Sequence, residues 1–496
     1  MPVADRFTIA PFEFFVLHTR TRFPFRYGIA SMTGVPHLFL RTRVAAGRTS
    51  AAGVTAEGLP PKWFTKNPAT TFEQDLPEML DAVVHATEIA EDIGRTPIGF
   101  FDLWHELDRA QAQWAVSRGM ASLLAHLGVA LVERAVLDGL CRLAEQPLHR
   151  MVAANRLGVR LGDVYPELRG TQPEDFLAAA PLDSCFVRHT IGLADALSPG
   201  ELAPEDRVDD GLPQDLEASI REYGLRYFKV KLSGSVERDL ARLRDLARVL
   251  ESETGGAFFV TVDGNENFVS VGAFRHFWDV VTAEPALRAL LERTLAVEQP
   301  VHRDRAIDGA ARSDLRAWPD RPPIIIDESD GAIGDVPQAL EAGYGGASHK
   351  NCKGIVKGIA NACLIEARRR QGHPALLTGE DLCNLGPIAL QQDLAMMALL
   401  GIGHVERNGH HYYRGLGMLP REWQATSIAA HGDLYTRHPA GFARVRITDG
   451  RIDLASVNAA PFGVAPSLDV AEFARVAKTP SGRISWTESG HRAPIQ

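Results

Sequence analysis

From Cys185 onward the chain is built on one repeated pattern. Eight short apolar runs end near Thr190, Lys231, Asp263, Glu298, Asp327, Lys350, Thr378 and Glu406, each closing on a polar or charged group, with amphipathic stretches between them. Their spacing of 23 to 41 residues is what a strand, a crossover helix and two loops occupy when parallel strands follow one another. Eight such units predict an α/β fold of the TIM type, a (β/α)8 barrel in modified form, with its chemistry at the C-terminal ends of the strands. A doubly wound open sheet is the competing architecture. No GxGxxG turn follows the first strand, and eight evenly spaced units favour closure.

The remainder reads as an α+β capping domain formed from both termini. Phe12 to Thr21 and Pro36 to Val44 are rich in β-branched and aromatic residues and bracket a Pro/Gly/Ser segment, Phe23 to Gly34, which suggests two strands joined by a long loop. Phe72 to Ile93 and Ser117 to Leu143 carry apolar residues at helical spacing. Beyond Met418 the repeat stops, and Ala443 to Thr448, Asp449-Gly450 and Arg451 to Leu454 read as a hairpin able to return to the N-terminal region. The expected division is a cap over residues 1–150, a catalytic barrel over 180–418 and a returning segment over 419–496.

Position gives the charged residues their meaning. One acid at the end of an apolar run is ordinarily a helix cap or a solvated loop end. Three consecutive strands ending in Asp263, Glu298 and Asp327 are different. Adjacent strands lie about 4.8 Å apart, so the three carboxylates converge and repel one another unless a cation joins them. Hard oxygen donors without histidine or cysteine at ligand spacing favour Mg²⁺, with Mn²⁺ as the alternative, over zinc. Lys229 and Lys231 share one face of the second strand, and Lys350 ends the sixth. Lysine is costly to bury unpaired. In a ring of eight, Lys231 and Lys350 stand four strands apart and face each other, and mutual repulsion beside a cation is expected to lower a lysine toward the range of a neutral base. This arrangement suits removal of a proton next to a carboxylate through an enediolate. Asn265, Lys353, Glu380, Asp381, Glu406 and Tyr27 are candidates for substrate contact, and His404, His410 and His411 lie near the same mouth. His349, alternating with Lys350, is expected to point into packing.

Composition excludes other classes. With 53 basic and 62 acidic residues the net charge is −9, the wrong sign for binding a nucleic-acid backbone. The longest uncharged apolar stretch, Gly119 to Val132, falls short of the roughly 18 residues of a membrane span. The N-terminus lacks the pattern of a secretory signal, so a cytoplasmic location is expected. Five cysteines with no CxxC pair read as reduced, packed thiols. There is no GxxxxGK[ST] phosphate loop, and no GxSxG elbow.

Together, Lys229-Val-Lys231, Asp263-Gly-Asn265, Glu298-Gln-Pro300, Asp327-Glu-Ser329 and Lys350 resemble the enolase superfamily, and within it the muconate lactonizing enzyme-like and mandelate racemase group. The use of a lysine or histidine base with Mg²⁺ is a documented property of that superfamily. The resemblance implies that Asp263, Glu298 and Asp327 bind Mg²⁺, that Lys231 and Lys350 are the acid/base pair, and that Lys229 tunes Lys231. It implies further that the loop within Phe23 to Thr33 helps select a small carboxylate. The reaction would then be racemisation or epimerisation, β-elimination (dehydration), or cycloisomerisation. A homo-oligomer is expected. Leu59 to Gln113 and the sequence beyond Met418 are long for this family. Two alternatives stand beside it: a lysine Schiff-base aldolase on the same barrel, and a non-catalytic protein on an enolase-like scaffold.

Overall fold

A computed structural model describes residues 6–27 and 30–477, without the side chains of Tyr27 and Ala30. Eight parallel strands form the barrel: Ser184–Ile191, Tyr227–Lys231, Phe259–Asp263, Thr294–Glu298, Ile324–Ile325, Gly346–His349, Leu376–Glu380 and His404–Glu406. Each pairs with the next in sequence, the eighth pairs with the first, and a bridge from Ile326 to Ala347 joins the fifth to the sixth. The ring is therefore closed. Helices such as Val236–Thr254, Val271–Thr282, Ile355–Arg370 and Ile388–Leu399 alternate with the strands. Both strand faces are covered, which is why the strands read as apolar runs.

Three long antiparallel strands, Glu13–Tyr27, Ala30–Ala46 and Thr49–Gly58, form the cap sheet. The expected loop from Phe23 to Gly34 is largely strand. The ladder skips from Arg20 opposite Gly34 to Phe25 opposite Met32, and this irregularity accommodates Pro24 where it owes no ladder hydrogen bond. Behind the sheet lie helices Phe72–Ile93, Phe100–Arg118 and Ser122–Ala144. The first begins with a reciprocal capping box between Thr71 and Gln74. The expected helix from Ser117 divides at Gly119, whose φ of 64° ends one helix before Ser122 begins the next. Ser122–Ala144 is buried along almost its whole length. It packs closely enough that a Cβ on Gly128 would fall 2.3 Å from the Ala82 carbonyl oxygen.

The segment after Met418 also differs from expectation. Ala443–Val445 pairs with Tyr435–Arg437, while Arg451–Asp453 runs antiparallel along the lower part of the first barrel strand. Of the expected hairpin, one bridge between Thr448 and Arg451 remains. The barrel strand's free edge below its partners captures the second arm, because an open ladder offers more hydrogen bonds than an isolated hairpin. The cap sheet is instead rejoined by Ala474–Val476, paired with Phe14, Phe15 and Val16. Among the described residues no helix is long and apolar enough to cross a membrane, and all five cysteines are buried and unbridged.

Candidate active site at the barrel mouth

Strand register sets the site. Lys231 lies opposite Asp263, and Asp263 opposite Glu298, so the ends of the second, third and fourth strands share one level. Across the ring Glu380 lies opposite Glu406. Just past these ends the chain turns through left-handed conformations at Asn265, Glu266, Gln299 and Cys383, with φ between 34° and 60°. Non-glycine residues pay for that geometry, and such turns gather where side chains must be aimed. Gln299 explains its own place in the motif. Its amide oxygen accepts the Asp327 and Ser329 N–H groups at 2.8 and 3.2 Å, and its amide nitrogen donates to the Val301 carbonyl and the Ser329 hydroxyl. The fourth strand end is thereby clamped to the fifth.

Lys229 is the hub. Its buried ammonium stands 2.7 Å from Glu298 Oε1, 2.7 Å from Glu406 Oε2, and 3.0 Å from both Glu380 Oε2 and Asp263 Oδ2. Lys231 donates to Asp263 Oδ2 at 2.5 Å. Lys350 donates to both Asp327 oxygens at 2.7 Å and to Glu380 Oε2 at 2.6 Å. Lys353 reaches Asp327 Oδ1 at 2.8 Å and the Ser348 carbonyl at 2.7 Å. Five carboxylates thus interleave with four ammonium groups. Burial draws Lys229, Lys231 and Lys350 downward, but the surrounding carboxylates, led by Asp263 for the first two and Asp327 for the third, outweigh it and hold all three above the ordinary lysine range. The acids outweigh the repulsion between amines because each amine lies closer to acids than to another amine, whereas the lowered lysine is expected beside a bound cation.

The acids divide into two kinds. Oxygens of Glu298, Asp327 and Glu380 lie within 4.8 Å of one another in a buried group that could hold a metal ion. Asp263, expected as the third member, is turned toward Lys231 and the Asn265 N–H, and Glu380 takes its place in the cluster. Glu298 Oε2 is buried and makes no hydrogen bond. Burial and the neighbouring Glu380 push the Glu298 carboxyl well above the usual range, against the pull of Lys229. A hard divalent cation fits this donor set: buried oxygen ligands, one without a partner, and like charges in need of neutralising.

The other expected residues fall as follows. Asn265 Nδ2 points toward Glu328 Oε1 at 3.4 Å. Glu406 enters the ring through Lys229 and the Thr190 hydroxyl. Asp381 stands aside, its Oδ1 accepting the Cys383 N–H. The Tyr27 side chain lies outside the described residues. His349 is buried beside Asn351 and burial lowers it to about 4. Sequence reasoning did not find Trp63, whose ring centroid lies 4.8 Å from the Lys350 ammonium. It sits on a five-residue helix, Pro61–Thr65, fastened to the barrel by Arg303, which donates to the Trp63 and Phe64 carbonyls and pairs with Glu266. The proline pair before it and the unusual length of this region were the available signals. Glu328, buried and pushed up to about 8 by burial and Asp327, was named only as part of a motif.

Residues 212–423 match the family described as enolase C-terminal domain-like. No curated protein sequence matches the chain. Among solved structures, a mandelate racemase/muconate lactonizing protein from Herpetosiphon aurantiacus is similar with a TM-score of 0.54 at 18% identity, over 93% of this chain and 98% of that one. A mandelate racemase/muconate lactonizing enzyme from Bordetella bronchiseptica RB50 gives 0.56 at 17%, over 93% and 98%. An enolase from Bradyrhizobium, complexed with magnesium and mandelic acid, gives 0.54 at 14%, over 95% and 99%. At these identities the likeness carries the barrel and cap architecture alone.

Proposed function

We propose that this chain, whose residues 212–423 match the enolase C-terminal domain-like family, is a member of the enolase superfamily and an enzyme that removes the proton α to the carboxylate of a small carboxylic acid, using Mg²⁺ or Mn²⁺. The observation that carries this reading is the buried Glu298, Asp327 and Glu380 cluster set among four lysines at the mouth of the barrel. Glu298 and Asp327, with Glu380 or Asp263, would hold the cation. When bound, it would neutralise the charge that builds on the substrate carboxylate as the α-proton leaves.

The protein's own groups do the rest. Lys231 Nζ, at the end of the second strand, is the group assigned to take the α-proton; a cation that drew Asp263 and its neighbours to itself would remove the charges that hold this amine protonated. Lys350 Nζ, on the sixth, is assigned to return a proton to the other face or to assist a leaving group. The two amines contact different carboxylates, so they can serve as separate acid and base. Lys229 holds Asp263, Glu298, Glu380 and Glu406 in one constellation and would aim rather than react. Lys353 fixes Asp327. Trp63 covers Lys350 from the cap side and would limit water at the reacting carbon. Racemisation or epimerisation, β-elimination and cycloisomerisation all begin with this step. The test is proton exchange in D2O with Mg²⁺ and a panel of α-substituted carboxylates, followed by NMR. Wild type is expected to wash out the α-proton of at least one acid, and Lys231→Ala and Lys350→Ala to lose that exchange. Full exchange in both variants overturns the assignment.

A further inference from the structure

Cap and barrel meet at Arg303, the first residue of the short helix Arg303–Ala306 that follows the fourth strand. On the barrel side, its backbone N–H and Nε donate to Glu266 Oε1 at 2.7 and 2.9 Å, and its Nη2 donates to Glu266 Oε2 at 2.8 Å. On the cap side, Nη1 donates to the Phe64 carbonyl at 2.7 Å and Nη2 to the Trp63 carbonyl at 3.0 Å. These carbonyls belong to the last turn of helix Pro61–Thr65, where C=O groups lack partners within the helix and stand at the negative end of its dipole. One planar guanidinium therefore grips a carboxylate and a helix end at once.

Each partner leads to one of the two amines. The Trp63 ring lies 4.8 Å from the Lys350 ammonium. Glu266 completes a left-handed pair with Asn265, at φ of 60° and 46°. The same turn brings the Asn265 N–H to Asp263 Oδ1 at 2.7 Å, and the other oxygen of Asp263 accepts from Lys231. Non-glycine residues keep such a backbone only where their surroundings impose it, and the three hydrogen bonds from Arg303 to Glu266 do so here. Lys66, just past the cap helix, adds a second tie: it pairs with Glu266 Oε2 at 3.1 Å and donates to the Asn265 carbonyl. The side chains of Lys231 and Lys350 are 9% and 4% exposed, so a substrate carbon reaches the space between them only when part of the cover moves. The five-residue helix that carries Trp63 is that cover over Lys350, and a helix so short holds its place through external ties.

We infer that Arg303 is a positioning residue that makes the cap helix and the loop after the third strand a single unit, acting on Lys350 through Trp63 and on the Asp263–Lys231 pair through Glu266. The inference rests on the reaction proposed above for the roles of the two lysines. When the helix withdraws to admit substrate, Arg303 loses its cap-side acceptors and the left-handed turn at Asn265 and Glu266 loses its support. When the helix returns, both sides of the substrate space are set together, so the acid/base pair is complete only in the covered site.

The experiment compares the full chain with Arg303→Met in two ways: amide hydrogen–deuterium exchange read by mass spectrometry, and acrylamide quenching of Trp63 fluorescence, taken as the difference between each protein and its Trp63→Phe counterpart. Arg303→Met is expected to raise exchange several-fold in residues 62–66 and 264–268 together and to raise the quenching, while helix Ile355–Arg370 exchanges as in wild type. Millimolar guanidinium should restore both readouts, and sodium chloride at the same concentration neither. Because these readouts need no substrate, they stand or fall apart from the proposed reaction. On any acid of the panel that wild type exchanges, Arg303→Met should lose rate chiefly in kcat. Wild-type exchange in either segment, a rise spread over the whole chain, or a loss confined to KM overturns the inference. Should Arg303→Met fail to fold, Glu266→Gln decides: it alters the barrel side of the guanidinium yet should raise the quenching of Trp63 on the cap side, and quenching equal to wild type overturns the inference.

Discussion

Lys229 illustrates how much one side chain can organise. Four carboxylates contact its ammonium, so removing it leaves buried acids facing one another. Lys229→Met is therefore expected to cost about 3–5 kcal/mol of stability, the range found when one partner of a buried pair is deleted. Guanidinium denaturation measures this, and an unchanged midpoint would contradict the hub role. The lysines and the three strand-end acids were legible in the sequence because charge at the end of an apolar run is conspicuous. Glu380 was harder to rank, since its run gave one acid no different from Asp381, and only the pleat decides that the first faces Lys229 and the second turns to Cys383. Trp63 and Arg303 meet Lys350 and the Trp63 carbonyl across the interface of cap and barrel, and no local pattern in a sequence encodes a contact between such distant segments.

At the scale of elements, Glu133 joins the cap to the active-site ring. It lies on helix Ser122–Ala144 and accepts the N–H groups of Ile355 and Val356, the first residues of the helix that follows Lys350 and Lys353. Glu133→Ala leaves two buried donors without acceptors and is expected to cost roughly 1–3 kcal/mol. Glu133→Gln keeps one acceptor and should cost less. Equal denaturation midpoints for wild type and Glu133→Ala would contradict this. Helices and strands were largely legible where periodicity was strong, as for Phe72–Ile93. The expected hairpin was not, because Arg451–Asp453 found a better partner in the first barrel strand, and pairing depends on which edge is open rather than on turn chemistry. Trp63 makes a further prediction at this scale. Trp63→Ala should leave the fold's melting temperature within a few degrees but raise exchange of the substrate-derived carbanion with solvent, read as greater deuterium incorporation into recovered acid. Unchanged incorporation would show that the helix Pro61–Thr65 does not exclude water.

The whole molecule withdraws histidines from water both on the cap sheet and on the barrel strands. Burial lowers His37 to about 3, with help from Arg134, and His189 to about 4; burial and Arg188 lower His404 to about 3. In each case the folded chain binds a proton less readily than the unfolded chain, whose histidines titrate near 6.5. The stability they allow is therefore complete above pH 6.5 and lost as pH falls toward 4, on the order of 2 kcal/mol per histidine at pH 5. Urea unfolding at pH 7.5 and pH 5 should show this loss, and His37→Phe should reduce it; a profile flat over that interval would contradict the burial. The barrel as a whole was legible because eight parallel units impose a repeat on the sequence. The cap's extent was less so, since its sheet is completed by Ala474–Val476 from the far end of the chain. The central claim is that the barrel mouth holds a divalent cation, and Mn²⁺ titration followed by electron paramagnetic resonance tests it most directly. One Mn²⁺ per chain, displaced by Mg²⁺ and lost in Glu298→Gln and Asp327→Asn, is the predicted result; a wild-type chain that binds no Mn²⁺, or variants that bind it as wild type does, would contradict it.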